Sequence, residues 1–177
     1  MYSEPKAWQA LMDKLGEMII TYVRAQIKAG VSAVQIFDSW IGAVGREDYR
    51  TFIKPTMEHI FTELRKEDVP LIMFGYNAKH LLLEFNDFPV DAIGLDWRTT
   101  IKEAREMGIT KVLQGNLDPA ILLADWETIE KRTKEILDEG MEDGRHVFNL
   151  GHGVTPDISQ DTLKKLAELV RTYSKRS

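Results

Sequence analysis

An α/β fold, with five parallel strands alternating with helices, is what this chain predicts, and three observations carry the reading. Three short apolar stretches, AIGLDW (92–97), QGNLDP (114–119) and FNLGHG (148–153), each close on polar or glycine residues, and the first two run into a helix start. Segments of helical spacing separate these and two further strand-like runs, an alternation that calls for a parallel sheet with right-handed crossovers. The third observation is length. A closed eight-stranded barrel takes about 250 residues, and 177 residues fall short of that by about three strand-helix units. The pattern therefore describes either an open doubly wound sheet or part of a barrel.

The elements follow in order. Ser3 is placed to cap an opening helix, Pro5 suits its first turn, and Trp8, Leu11, Met12, Leu15, Met18, Ile19, Tyr22 and Val23 keep helical spacing. Gly30 ends that helix, and 33–37 (AVQIF) read as the first strand. A loop at 38–45 leads to Arg46-Glu47-Asp48, the first turn of a helix reaching about Lys66. Residues 69–74, bounded by Gly75, form the second strand; 80–85 are a short helix and 86–89 a turn. The third strand is 92–96. Thr100 and Glu103 have capping-box spacing and open a helix that Gly108 closes. Residues 111–114 are the fourth strand, followed by the cap-and-proline pair Asp118-Pro119. An amphipathic helix over 126–139 is stopped by Gly140, 145–150 are the fifth strand, and Ser159 caps a last helix with Leu163, Leu166, Leu169 and Val170 on one face.

Composition narrows the function. A net charge of −5 and a pI near 5.4 speak against a nucleic-acid surface. The absence of cysteine excludes disulfides, thiolate zinc sites and a cysteine nucleophile, and fits a cytoplasmic protein. No apolar run approaches the ~20 residues of a membrane span, and MYSEPKAW lacks a secretory pattern, so neither membrane nor export is expected. His59, His80, His146 and His152 show no ligand spacing on a shared element, so no metal is expected. There is no phosphate loop, nucleophile elbow or dinucleotide fingerprint, and no linker or low-complexity segment.

Alternation assigns faces to the strands. Val34 and Ile36 suit packing against helices, which turns Gln35, Phe37 and Ser39 inward. Gln114 shares a face with Asn116, and Gly94 with Asp96. In the fifth strand Phe148, Leu150 and His152 alternate with Asn149 and Gly151, and either set can face in. Gln35, Asp96, Gln114 and Asn149 stand where a purely structural core would place Val or Leu. Left unpaired, each would cost about 1–3 kcal/mol on burial, so a mutually bonded polar layer or a ligand is expected. His152 lies between Gly151 and Gly153, which permit a sharp turn and close approach to a ligand.

The segments QIFDSW (35–40), GLDW (94–97), LQGNLD (113–118) and NLGHG (149–153) resemble successive blocks of the uroporphyrinogen decarboxylases, in the same order and spacing. The resemblance extends over essentially the whole chain. It implies a partial (β/α)8 TIM barrel, with residues 1–177 as the C-terminal portion (strands four to eight) and the N-terminal portion absent. It also implies a cofactor-independent lyase of heme biosynthesis, a decarboxylase that converts uroporphyrinogen to coproporphyrinogen. In that chemistry a protonated pyrrole ring accepts the electrons released by departing CO2, so the protein supplies a proton donor, anchors for pyrrole N–H groups and cations for carboxylates. By block position Ser39 and His152 match substrate contacts, Phe37 an apolar wall. The family's arginine-rich segment, pyrrole-binding aspartate and substrate tyrosine have no counterpart here, so no catalytic residue is expected in this chain and it should be inactive alone. Charge argues the same way: a polyanion needs converging cations, and the strand ends offer only His152, with Lys79 and Arg98 in reserve. The family is commonly homodimeric, which adds a homo-oligomer to the expectations. GYNAKH (75–80) departs from the family's more glycine-rich loop.

Two other readings stand beside this one. The related zinc methyltransferases hold metal partly by cysteine thiolate, and this chain has none. A non-catalytic half-barrel could instead self-associate, or pair with a missing half, through strand edges at 33–37 and 145–150.

Overall fold

The computed structural model describes residues 1–176. Five strands, β1 (Val34–Asp38), β2 (Leu71–Gly75), β3 (Ala92–Gly94), β4 (Val112–Leu117) and β5 (His146–Leu150), form a parallel sheet in the order β1-β2-β3-β4-β5. Helices alternate with them. The chain divides within β3 into two compact units, Met1–Ile93 and the residues from Gly94 on, without the Pro/Gly/Ser linker a sequence would show.

In the first unit, α1 (Pro5–Lys28) starts from Glu4, not from Ser3, and no side chain caps it. Pro5 at the first helical position pushes its predecessor out of helical conformation, and Glu4 sits at φ −136°, ψ 67°. Gly16 lets α1 approach its neighbour closely: a Cβ there would lie 3.2 Å from the Thr56 methyl. The single helix expected over 46–66 is two, α2 (Arg46–Phe52) and α3 (Lys54–Leu64), broken at Ile53 (φ −128°, ψ −48°). Pro55 explains the break, because it cannot donate to the carbonyl of Thr51 and its ring would clash there. β2 starts two residues later than expected. Pro70 has no N–H for the ladder, although its carbonyl accepts from Val34 at 2.9 Å. The Asp91 carboxylate instead receives the Leu71 N–H at 2.8 Å and both ends of the Arg65 fork.

The apolar core of this unit contains Ile60, Phe61, Leu64, Leu71, Met73, Phe85 and Phe88. Tyr49 meets Phe85 edge-on, with centroids 5.8 Å apart. Beside it the buried Glu84 of α4 (Leu82–Asn86) accepts from Arg50 on α2 at 2.7 Å and Lys54 on α3 at 2.9 Å.

In the second unit the caps read from sequence form. Thr100 and Glu103 make a complete capping box on α5 (Ile101–Glu106), and Asp118 caps the 3-10 turn Pro119–Leu123. Ser159 caps α7 (Gln160–Tyr173). Gly140 does not stop α6 (Trp126–Met141); it lies inside the helix, where the His146 ring fills the place a side chain would take. β3 is shorter than expected and β4 longer, carrying Gln114 and Asn116 within the strand. Leu117, Leu122, Ile129, Ile158 and Leu166 form the core of this unit, with Phe148 and Leu150 packed against it.

That packing decides the faces of β5: His146, Phe148 and Leu150 lie against the helices, and Val147 and Asn149 are exposed. β1 alternates as expected, with Val34 buried and Gln35 and Phe37 exposed. Of the four polar positions expected to be buried, Asp96 and Gln114 are, whereas Gln35 and Asn149 meet solvent and carry no burial cost.

Candidate functional site

At the carboxyl end of β1, Phe37 is 65% and Trp40 84% exposed, with half-buried Ser39 between them. Asp38 shapes this tip: its Oδ1 accepts the Trp40 N–H at 2.9 Å, and its carbonyl accepts from Tyr76 at 3.0 Å. The loop that follows is fastened to 75–80. Gly42 sits on the Tyr76 and Asn77 carbonyls, where a Cβ would come within 2.5 Å of each oxygen. His80 Nε2 lies 2.8 Å from the Val44 carbonyl, and Arg46 Nε donates to the His80 carbonyl at 2.9 Å. Tyr76 and Asn77, which depart from the glycine-rich pattern, thus contribute backbone to this joint, and Asn77 adopts φ +53°.

The second unit draws three strand ends together. Asn116 Nδ2 on β4 donates to the carbonyls of Asp96 (2.9 Å) and Thr99, bridging to the segment after β3. Gly151 donates to the Leu117 carbonyl at 2.8 Å and packs so tightly that a Cβ would lie 2.7 Å from the Trp97 nitrogen. His152, the next residue, is exposed. The buried Asp96 receives the Arg98 N–H on Oδ1 at 2.8 Å and Arg98 Nη1 on Oδ2 at 3.2 Å, and the guanidinium lies 4.3 Å from the Trp97 ring centroid. Of the polar layer expected from sequence, Asp96 is buried and bonded here, while Gln35 and Asn149 lie in solvent; Asn116, not counted in that layer, is buried and bonded to backbone.

Phe37 and Ser39 thus share the β1 tip in the first unit, and His152 follows β5 in the second. Sequence reasoning named neither the Asp96–Arg98 pair nor the Asn116 bridge as site features. The aspartate-arginine spacing in GLDWR was the available signal. His146, which had no evident partner, lies 2.7 Å from the Gly115 carbonyl, and its burial holds the imidazole below its usual pKa. A cavity of about 150 Å³ beyond β4, lined by Trp97, Asn116, Asp118 and Arg132 among others, is smaller than the 300 Å³ or so at which ligand pockets begin. Among the described residues, no three His, Asp or Glu side chains group so as to hold a metal ion, and no helix is long and apolar enough to cross a membrane.

Parallel strands that follow one another in chain order, with polar groups and close-packed glycines at their carboxyl ends, fit an α/β protein of the barrel class. A crystal structure described as a vitamin-B12-independent methionine synthase from Listeria monocytogenes shares the fold, with a TM-score of 0.62 at 16% identity over 94% of this chain and 55% of that one. The uroporphyrinogen decarboxylase family model matches residues 1–173. Uroporphyrinogen decarboxylase of Oceanobacillus iheyensis is 70% identical over 99% of this chain and 51% of its own length. That of a Geobacillus strain is 66% identical over 99% and 51%, and that of Bacillus subtilis 63% over 98% and 49%. This chain belongs to the uroporphyrinogen decarboxylase family, to whose C-terminal portion it corresponds. It spans about half the length of the curated relatives it matches.

Proposed function

We propose that the chain forms the C-terminal part of a uroporphyrinogen decarboxylase, a cofactor-independent lyase acting on the acetate arms of uroporphyrinogen. The observation that carries this is 70% identity to a uroporphyrinogen decarboxylase along nearly the whole chain. The groups at the strand tips support it. Phe37 offers an apolar face to a pyrrole ring, Ser39 a hydroxyl, and His152 an imidazole N–H that can donate to a carboxylate. The proton donor and most of the cations the reaction needs belong to sequence outside this chain, so the chain alone binds without turning over. No cofactor or metal enters this reading, and a cytoplasmic location accompanies it. Self-association completes the proposal.

Two measurements test it. Anaerobic incubation with uroporphyrinogen should yield no coproporphyrinogen by chromatography, and appearance of product would overturn the inactivity. Uroporphyrin should quench the chain's tryptophan fluorescence saturably; absence of binding would remove the substrate assignment of Phe37, Ser39 and His152.

A further inference from the structure

We propose that Arg98, held against the Trp97 ring by the buried Asp96, forms a binding subsite for one carboxylate arm of the substrate. It rests on the porphyrinogen reading for its ligand and on the geometry of the second unit for its existence. An aspartate 5% exposed at a strand tip is a poor stability device. Desolvating a carboxylate is costly, and a pair with a partly exposed arginine returns little of that cost. What the arrangement supplies is position.

Asp96 fixes one corner of the guanidinium through Nη1, and the indole fixes its plane. A guanidinium carries five N–H donors in a rigid fork, enough to serve Asp96 and a second carboxylate together. Such a pre-oriented fork favours bidentate carboxylate recognition because little side-chain freedom is lost on binding. Trp97 is itself fixed by Gly151, whose Cα leaves no room for a methyl group above the Trp97 nitrogen. One packing contact therefore anchors both Arg98 and the neighbour of His152. The subsite answers the charge problem seen in the sequence by adding a second cationic group at this end of the sheet.

Two probes test the subsite on the purified chain. Benzene hexacarboxylate should shift the Arg98 Nε and Trp97 indole 15N resonances. Uroporphyrin titrated against tryptophan fluorescence should bind about tenfold more weakly to Arg98→Ala, the scale of one lost charge-assisted hydrogen bond. Arg98→Lys keeps a partner for Asp96 and so controls for folding. It should retain the wild-type circular dichroism melt yet recover only part of the affinity, because an ammonium lacks the planar fork. Uroporphyrin binding that is equal in wild type, Arg98→Ala and Arg98→Lys overturns the subsite and leaves the porphyrinogen reading standing. Hexacarboxylate shifts at Arg98 without uroporphyrin binding support the subsite and overturn that reading. Failure of both ligands to disturb Arg98 overturns the subsite.

Discussion

Gly151 is buried with its Cα against the Trp97 backbone, and an added methyl group would sit 2.7 Å from a nitrogen that cannot rotate away. Gly151→Ala should therefore destabilise the chain by about 1–3 kcal/mol, the range for overpacking a tight site, read from the urea midpoint. His146 makes a pH prediction. Burial is the main cause of its lowered pKa, with the nearby Arg105 charge acting the same way. The unfolded imidazole consequently takes up its proton first as pH falls. The contribution of His146 is thus full above about pH 6.5 and is lost as pH drops through the lower folded value. Urea midpoints at pH 7.5 and 5.5 should show this acid loss in wild type. In His146→Gln, whose amide can still donate to the Gly115 carbonyl, the loss should be smaller. His152 could be singled out from sequence because its two glycines are adjacent to it. The reasons for Gly151 and Gly140 could not, since the Trp97 nitrogen and the His146 ring that exclude a side chain at these positions are brought there by tertiary packing.

The same division between local and distant causes governs the elements. Caps depend on residues two or three positions apart, and Thr100, Asp118 and Ser159 all serve as their spacing indicates. Proline effects are local too, yet the helical periodicity over 46–66 hides the interruption that Pro55 imposes. The union of α2, α3 and α4 through Glu84 joins residues about thirty positions apart and has no sequence signature. Burial pushes the Glu84 carboxyl up, but hydrogen bonds from Arg50 and Lys54 outweigh it and the pKa ends below its ordinary value. Glu84→Gln removes the charge that both cations share. It should cost about 1–3 kcal/mol in urea unfolding, the scale of hydrogen bonds to charged groups. Because Glu84 is 5% exposed, added salt should recover little of that loss.

At the scale of the whole molecule, strand number and direction were legible because parallel α/β units repeat the same local pattern. Whether the sheet was open or belonged to a barrel was not, since closure depends on pairing that no single unit encodes. The exposed apolar surface carries the remaining consequence. Leu11, Leu15, Met18 and Tyr22 lie on successive turns of α1 and are all exposed, although helical spacing alone suggests a buried stripe. β1 and β5 end the strand order, where unpaired backbone groups invite another strand. A continuous apolar stripe of this kind marks an interaction surface. The chain should therefore sediment as a dimer or larger species at micromolar concentration. The double substitution Leu15→Glu and Met18→Glu charges the middle of the stripe, so it should shift the distribution toward monomer while leaving far-UV circular dichroism unchanged. A wild-type chain that stays monomeric through that range would show that α1 tolerates its exposed face and that self-association is no part of how this chain behaves.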